Sequence, residues 1–113
     1  MAYRVVFHLN AADPDAHRKA LANIANLLNE LPDAVVELVV QGDALDLVLT
    51  GRSAAAAELD RLQEQGVRVA ACANTMRARA VTAAELLAGV SVVPSGVGEL
   101  VRRQQEGWAY IKP

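Results

Sequence analysis

Short β-branched runs alternate along the chain with longer stretches whose apolar positions recur every three or four residues, the pattern of strand–helix units. Tyr3–Leu9 is apolar almost throughout, which predicts a strand covered on both faces. Asp13, Pro14 and Asp15 open a helix: Asp13 suits the cap, Pro14 the first turn, and Asp15 the positive helix end. Its buried stripe is predicted at Leu21, Ile24, Leu27, Leu28 and Leu31, and Pro32 stops it. Ala34–Gln41 is a second strand, turned by Gly42-Asp43.

Ala44–Thr50 admits two readings. Gly42-Asp43 closes a hairpin pairing Val36–Gln41 with Ala44–Leu49, or Leu45, Val48 and Leu49 form one side of a short helix. The helix is preferred, because the remaining chain reads as strand–helix units. Ser53 is expected to cap an Ala-rich helix that buries Leu59 and Leu62 and ends at Gly66. Val67–Cys72 is the third strand, followed by a polar helical segment through Asn74, Thr75, Met76, Arg77 and Arg79. Thr82 and Glu85 form a capping box for another short helix burying Leu86 and Leu87, ended by Gly89. Val90–Val93 is the fourth strand. Pro94-Ser95-Gly96 then leads into a helix with Leu100 and Val101 inward and Arg102, Arg103 and Glu106 outward. Gly107 breaks it before a last strand, Trp108–Lys112.

Five strands with intervening helices predict an α/β fold: one domain over residues 1–113, an open, mainly parallel, flavodoxin-like sheet with helices on both faces. Ala, Val and Leu supply 51 of the 113 positions and aromatics only 4%, so the core is built from small aliphatic pieces. Net charge is −2 and no basic run occurs, which argues against binding nucleic acid by phosphate neutralisation. No apolar stretch approaches the ~20 residues needed to cross a bilayer, and charge follows the first apolar run too soon for a signal peptide. One cysteine cannot staple a single chain, and one cysteine with two histidines cannot close a structural zinc site. The expectation is a cytoplasmic protein that uses neither metal nor cofactor.

In such a sheet, ligands bind beyond the carboxyl ends of the strands. The residues expected there are His8, Asn10 and Asp13; Gln41, Gly42 and Asp43; Cys72, Asn74 and Thr75; and Ser95, Gly96 and Gly98. Cys72 ends an apolar strand where a helix begins, so backbone N–H groups and the helix dipole favour its thiolate, with Arg77 and Arg79 adding positive potential. The plainer reading is a small core residue. His8 is either a base near the thiol or a packing residue. Ser95-Gly96-Val97-Gly98 suits an anion-binding helix start or a simple cap, and lacks both the dinucleotide glycine fingerprint and a P-loop lysine. Trp108 and Tyr110 share one side of the last strand, either favouring oligomerisation at a sheet edge or packing on the preceding helix.

Two runs carry a resemblance. Val67–Thr82 (VRVAACANTMRARAVT) and Val93–Ile111 (VPSGVGELVRRQQEGWAYI) are similar to segments of the DsrE/DsrF-like sulfur-relay family, of which the chain looks like a small, YchN-like single-domain member. The similarity runs over nearly the whole chain, including His8, Asn10 and the Gly42 turn. It implies a five-stranded parallel α/β domain assembling into homotrimers or homohexamers. It also implies that the cysteine matching Cys72 holds a persulfide and passes it between partner proteins, as a sulfurtransferase-type carrier. The absence of a second cysteine fits a carrier better than a thioredoxin-like oxidoreductase. Two other classes compete: a module binding a small anion or nucleotide at the same rim with Cys72 merely packed, and a structural oligomer.

Overall fold

The computed structural model describes residues 2–113. Five parallel strands, β1 (Arg4–Leu9), β2 (Val35–Val40), β3 (Arg68–Cys72), β4 (Ser91–Val93) and β5 (Ala109–Ile111), lie in the order β4-β3-β2-β1-β5. The first three connections step in one direction. The return from β4 to β5 then crosses the sheet to the far side of β1. The expected five-stranded parallel sheet with helices on both faces is therefore present, with each strand within two residues of its predicted ends.

The two faces are filled very differently. Val5, Phe7, Leu9, Val36, Leu38, Val40, Val69 and Ala71 point to one face, against α1 (Pro14–Glu30), α2 (Ala56–Glu64), α3 (Ala73–Ala78) and a 3-10 helix over Gly42–Val48. The other face carries Val6, Val39, Leu100 and Trp108 under a single helix, α4 (Gly96–Gln105). Strand alternation puts Glu37, Ala70 and Cys72 on this second face.

Several local expectations need correction. Ala44–Val48 lies within the 3-10 helix, so the hairpin does not form; parallel pairing of β2 with β3 requires a crossover there. Ala44, Leu45, Leu47 and Val48 are all buried, because at three residues per turn the segment is enclosed between α1 and the sheet rather than half-exposed. Ser53 is not the cap of α2. Its Oγ accepts the Ala55 N–H at 3.2 Å, and the helix starts at Ala56 with Ala55 at the cap. The Thr82–Glu85 capping box forms but opens only one 3-10 turn, Ala83–Glu85, with Leu86 and Leu87 half-buried beyond it. Leu27 and Leu31 are half-buried rather than fully covered.

In α4 the inward set differs from expectation. Leu100 is buried, but Val101 is 53% exposed. Arg103 turns inward instead, because the fully buried Glu37 lies beneath it. Trp108 packs under the guanidinium of Arg103, 4.5 Å from ring centroid to Cζ, which is the packing alternative, whereas Tyr110 is exposed on the edge strand β5.

Leu45 tests the enclosed 3-10 segment. Leu45→Ala is expected to cost about 2–5 kcal/mol, whereas Val97→Ala on the exposed side of α4 stays within about 0.5 kcal/mol. Urea unfolding midpoints of the two variants measure the difference.

Candidate functional site

Cys72 is the last residue of β3 and the cap position of α3, with extended backbone. Extending the parallel register by one residue aligns Gln41 with Cys72, and Val93 pairs Cys72 from the other side. The chain leaves all three strands here, and three connections meet at one corner of the sheet. After β2, Gly42 takes φ +58°, a left-handed conformation that glycine adopts without a side-chain clash. After β3, α3 begins. After β4, Ser95 caps α4 by accepting the Gly98 N–H at 3.0 Å.

The donors of these connections converge on the sulfur. Burial raises the Cys72 pKa, but hydrogen bonds from the backbone N–H groups of Thr75, Gly96 and Asn74 and from the Thr75 hydroxyl outweigh it, and the thiol lies below its ordinary value. Thr75 is itself oriented: its Oγ1 accepts the Gly42 N–H at 2.9 Å, which leaves its own proton free for the sulfur. Cys72 is only 5% exposed, and its pKa lies below the ordinary thiol value despite that burial.

The arginines expected to help are engaged elsewhere. Arg79 pairs with Asp46 at 2.6 Å, and Arg77 donates to the Asn74 side chain. Asn74 therefore serves the sulfur through its backbone, not its carboxamide. The sulfur's stabilisation comes from aligned N–H dipoles and one hydroxyl.

Gly42, Thr75, Asn74 and Gly96 thus gather at Cys72, and Ser95 shapes the turn behind Gly96. His8 and Asn10 do not join them. His8 lies on β1, with β2 between it and β3, and registers through Val39 with Ala70, two residues short of Cys72. Two strand spacings of about 4.8 Å separate their backbones in the plane of the sheet. His8 Nδ1 bonds the Tyr110 hydroxyl at 2.8 Å, while Nε2 is buried without a partner. Burial and then the charge of Lys112 lower its pKa, so it stays neutral at pH 7. Asn10 accepts from Lys112 at 3.2 Å. His8 is therefore no base for this thiol within one chain.

The sequence pattern did not reveal a charged cluster that holds α4 down. Glu37 Oε2 accepts from Arg68 Nε and Glu37 Oε1 from Arg103 Nε, both at 2.9 Å. Glu99 pairs with Arg102 at 2.8 Å and with Arg103 at 3.2 Å. Burial and a hydrogen bond with Glu99 raise the Glu37 pKa against the pull of Arg103. Glu99 moves down: hydrogen bonds with Glu37 and Arg102 outweigh its own burial. The available signal was one glutamate inside Val35–Val40 (VVELVV), a charge on a strand whose neighbours are all apolar.

Two grooves lie away from Cys72. One of about 270 Å³ runs between α1 and α2 past Leu21, Ala25 and Leu62, and one of about 330 Å³ runs between α1 and β5 past Phe7, Leu27 and Ile111. Among the described residues no group of three or more His, Cys, Asp or Glu side chains is placed to hold a metal ion, and no helix is long and apolar enough to cross a membrane.

Comparison with solved structures places the whole chain. A protein of unknown function from Methanobacterium thermoautotrophicum, MTH1491, is 41% identical, with a TM-score of 0.94 over 98% of this chain and 99% of that one. The YchN protein of E. coli superposes over 100% of both chains at TM-score 0.82 and 18% identity. A protein of unknown function from Bacteroides thetaiotaomicron, BT1422, does so over 97% of this chain and 94% of its own, at TM-score 0.77 and 15% identity. These last two show the shared fold. No curated protein sequence matches. The DsrE/DsrF-like family matches residues 4–113, and the chain belongs to that family.

Proposed function

We propose that the protein is a sulfur carrier in which Cys72 holds a persulfide and hands its outer sulfur to a partner thiol. The observation that carries this reading is the place of Cys72 at the corner where β3 ends and α3 and α4 begin, with a thiol pKa that lies below its ordinary value despite burial. Membership of a family linked to sulfur relay supports it.

The chemistry balances without an oxidant. The Cys72 thiolate attacks the outer sulfur of a donor persulfide; a new S–S bond forms at Cys72, and the donor's S–S bond breaks with the donor leaving as a thiolate. The acceptor thiolate then attacks that same outer sulfur, and Cys72 leaves as a thiolate. Each transfer moves one sulfur atom and returns the attacked cysteine to its starting oxidation state. The donors around Cys72 favour it twice, as attacking thiolate and as leaving group. With no other cysteine in the chain, donor and acceptor both come from other molecules. Val97 and Val101, exposed one turn apart on α4, offer those partners, or a second copy of the chain, an apolar contact beside the site.

Two measurements test this reading. Incubation with a small-molecule persulfide donor, followed by intact-mass analysis, is expected to add one sulfur to the wild type and none to Cys72→Ser; an unmodified wild type overturns it. Native alkylation measured against pH is expected to have its midpoint below that of a free thiol, since protonation silences the sulfur only below its lowered pKa. Thr75→Val should move that midpoint upward and slow alkylation at pH 7 severalfold, with Thr75→Ser restoring most of the effect.

A further inference from the structure

Gln41 has no part in the hydrogen bonds that lower the Cys72 pKa, yet it stands level with that residue on the β2 side, opposite Val93 on the β4 side. It extends β2 by one position with extended backbone, φ −146° and ψ 169°. Strand alternation therefore puts its side chain on the face that carries Cys72 and α4. The side chain lies along Gly96, the residue whose N–H bonds the sulfur. A Cβ at Gly96 would run into Gln41 Oε1 and stand 3.1 Å from Gln41 Cδ and 3.3 Å from Gln41 Cβ. The whole length of the glutamine thus occupies the space that a side chain at position 96 would take.

We propose that the Gln41 carboxamide is the movable cover of the Cys72 sulfur and governs which molecules reach it. The other near neighbours are fixed. Gly96 has no side chain, Ser95 is committed to the Gly98 N–H, and Thr75 is held between the Gly42 N–H and the sulfur. Gln41 is anchored only through its backbone, whose N–H donates to Leu9 and whose carbonyl accepts from Ala44. Among the described residues its amide group has no hydrogen-bond partner. Cys72 as a residue is only 5% exposed, so wide access to its sulfur needs a neighbour to move, and the long, unanchored side chain beside it moves at least cost. This cover deepens the sulfur-carrier reading and rests on it for its biological purpose, keeping a loaded sulfur from small thiols until a partner displaces the glutamine.

The test is alkylation of the folded protein by iodoacetamide at a pH above the thiol midpoint, where the rate reports access and not ionisation. If the open form holds about a tenth of the population, Gln41→Ala should raise the plateau rate roughly tenfold, with the midpoint of the pH curve unmoved. Gly96→Ala, whose methyl displaces the wild-type carboxamide, should raise it as well and serves if Gln41→Ala folds poorly by circular dichroism. Equal plateau rates in wild type and variants overturn the cover, and so does an effect confined to the midpoint, which would assign Gln41 to ionisation. Faster alkylation of Gln41→Ala in a protein that never takes up sulfur leaves the cover standing and removes the relay. A wild type that loads sulfur, with alkylation unaffected by either variant, does the reverse.

Discussion

A fully buried carboxylate in the middle of the central sheet sets the terms for the rest of the site. An unpaired Glu37 at that position would cost several kcal/mol in lost solvation. Arg68 and Arg103 each place a guanidinium nitrogen 2.9 Å from one of its oxygens, and Arg103 comes from α4, 66 residues further along the chain. Glu99 binds the same arginine from within the helix, and Trp108 supports it from below. Only Leu100 and Trp108 give this interface much apolar contact. The ionic pairs therefore fix the helix in orientation, and the helix start goes wherever Arg103 allows it.

The consequence appears two turns away, at Gly96. With α4 docked through Arg103, its first N–H groups stand over the end of β3. The Cys72 sulfur then receives donors from two helix starts that belong to different connections. The Gly42 turn of a third connection orients Thr75 from the side. None of these groups carries a full charge, and the nearest arginines are neutralised by Asp46 or bonded to Asn74. Stabilisation by fixed dipoles acts at short range and depends on geometry. A shift of α4 or of the Gly42 turn would weaken it more than a change of ionic strength would.

Most of the sheet was legible because its signals are local. β-branched runs, the Asp13-Pro14 start of α1, the Ser95 cap and the Thr82–Glu85 box each depend on residues within a few positions of one another. The errors share one cause. Val101 and Arg103 exchanged roles because helical spacing sees only the helix, whereas the deciding residue, Glu37, lies on another element. Ala44–Val48 is helical as preferred, but a 3-10 helix whose four apolar residues are all buried because α1 and the sheet enclose it, which no periodicity within seven residues can encode. The rim residues were legible as a list. Which of them meet at Cys72 was not, since Gly42 reaches Thr75 across 33 residues and Gln41 meets Gly96 across two forward crossovers.

His8 sharpens what kind of chemistry the corner can support. A thiol of ordinary pKa needs a base within hydrogen-bonding reach to become a nucleophile at pH 7. The imidazole in question is turned toward Tyr110 and separated from β3 by β2. The lowered pKa of Cys72 lessens the need for such a base, because the surrounding N–H groups favour the thiolate over the thiol before any partner arrives. A base would in fact be awkward for a carrier, since the same proton would have to be returned each time Cys72 left as a thiolate. Exchange between thiolates through a shared outer sulfur needs no proton at Cys72 in either direction. A site built from N–H dipoles, without imidazole or ammonium, therefore suits reversible transfer better than hydrolysis or acyl transfer, both of which require a proton to be delivered to a leaving group.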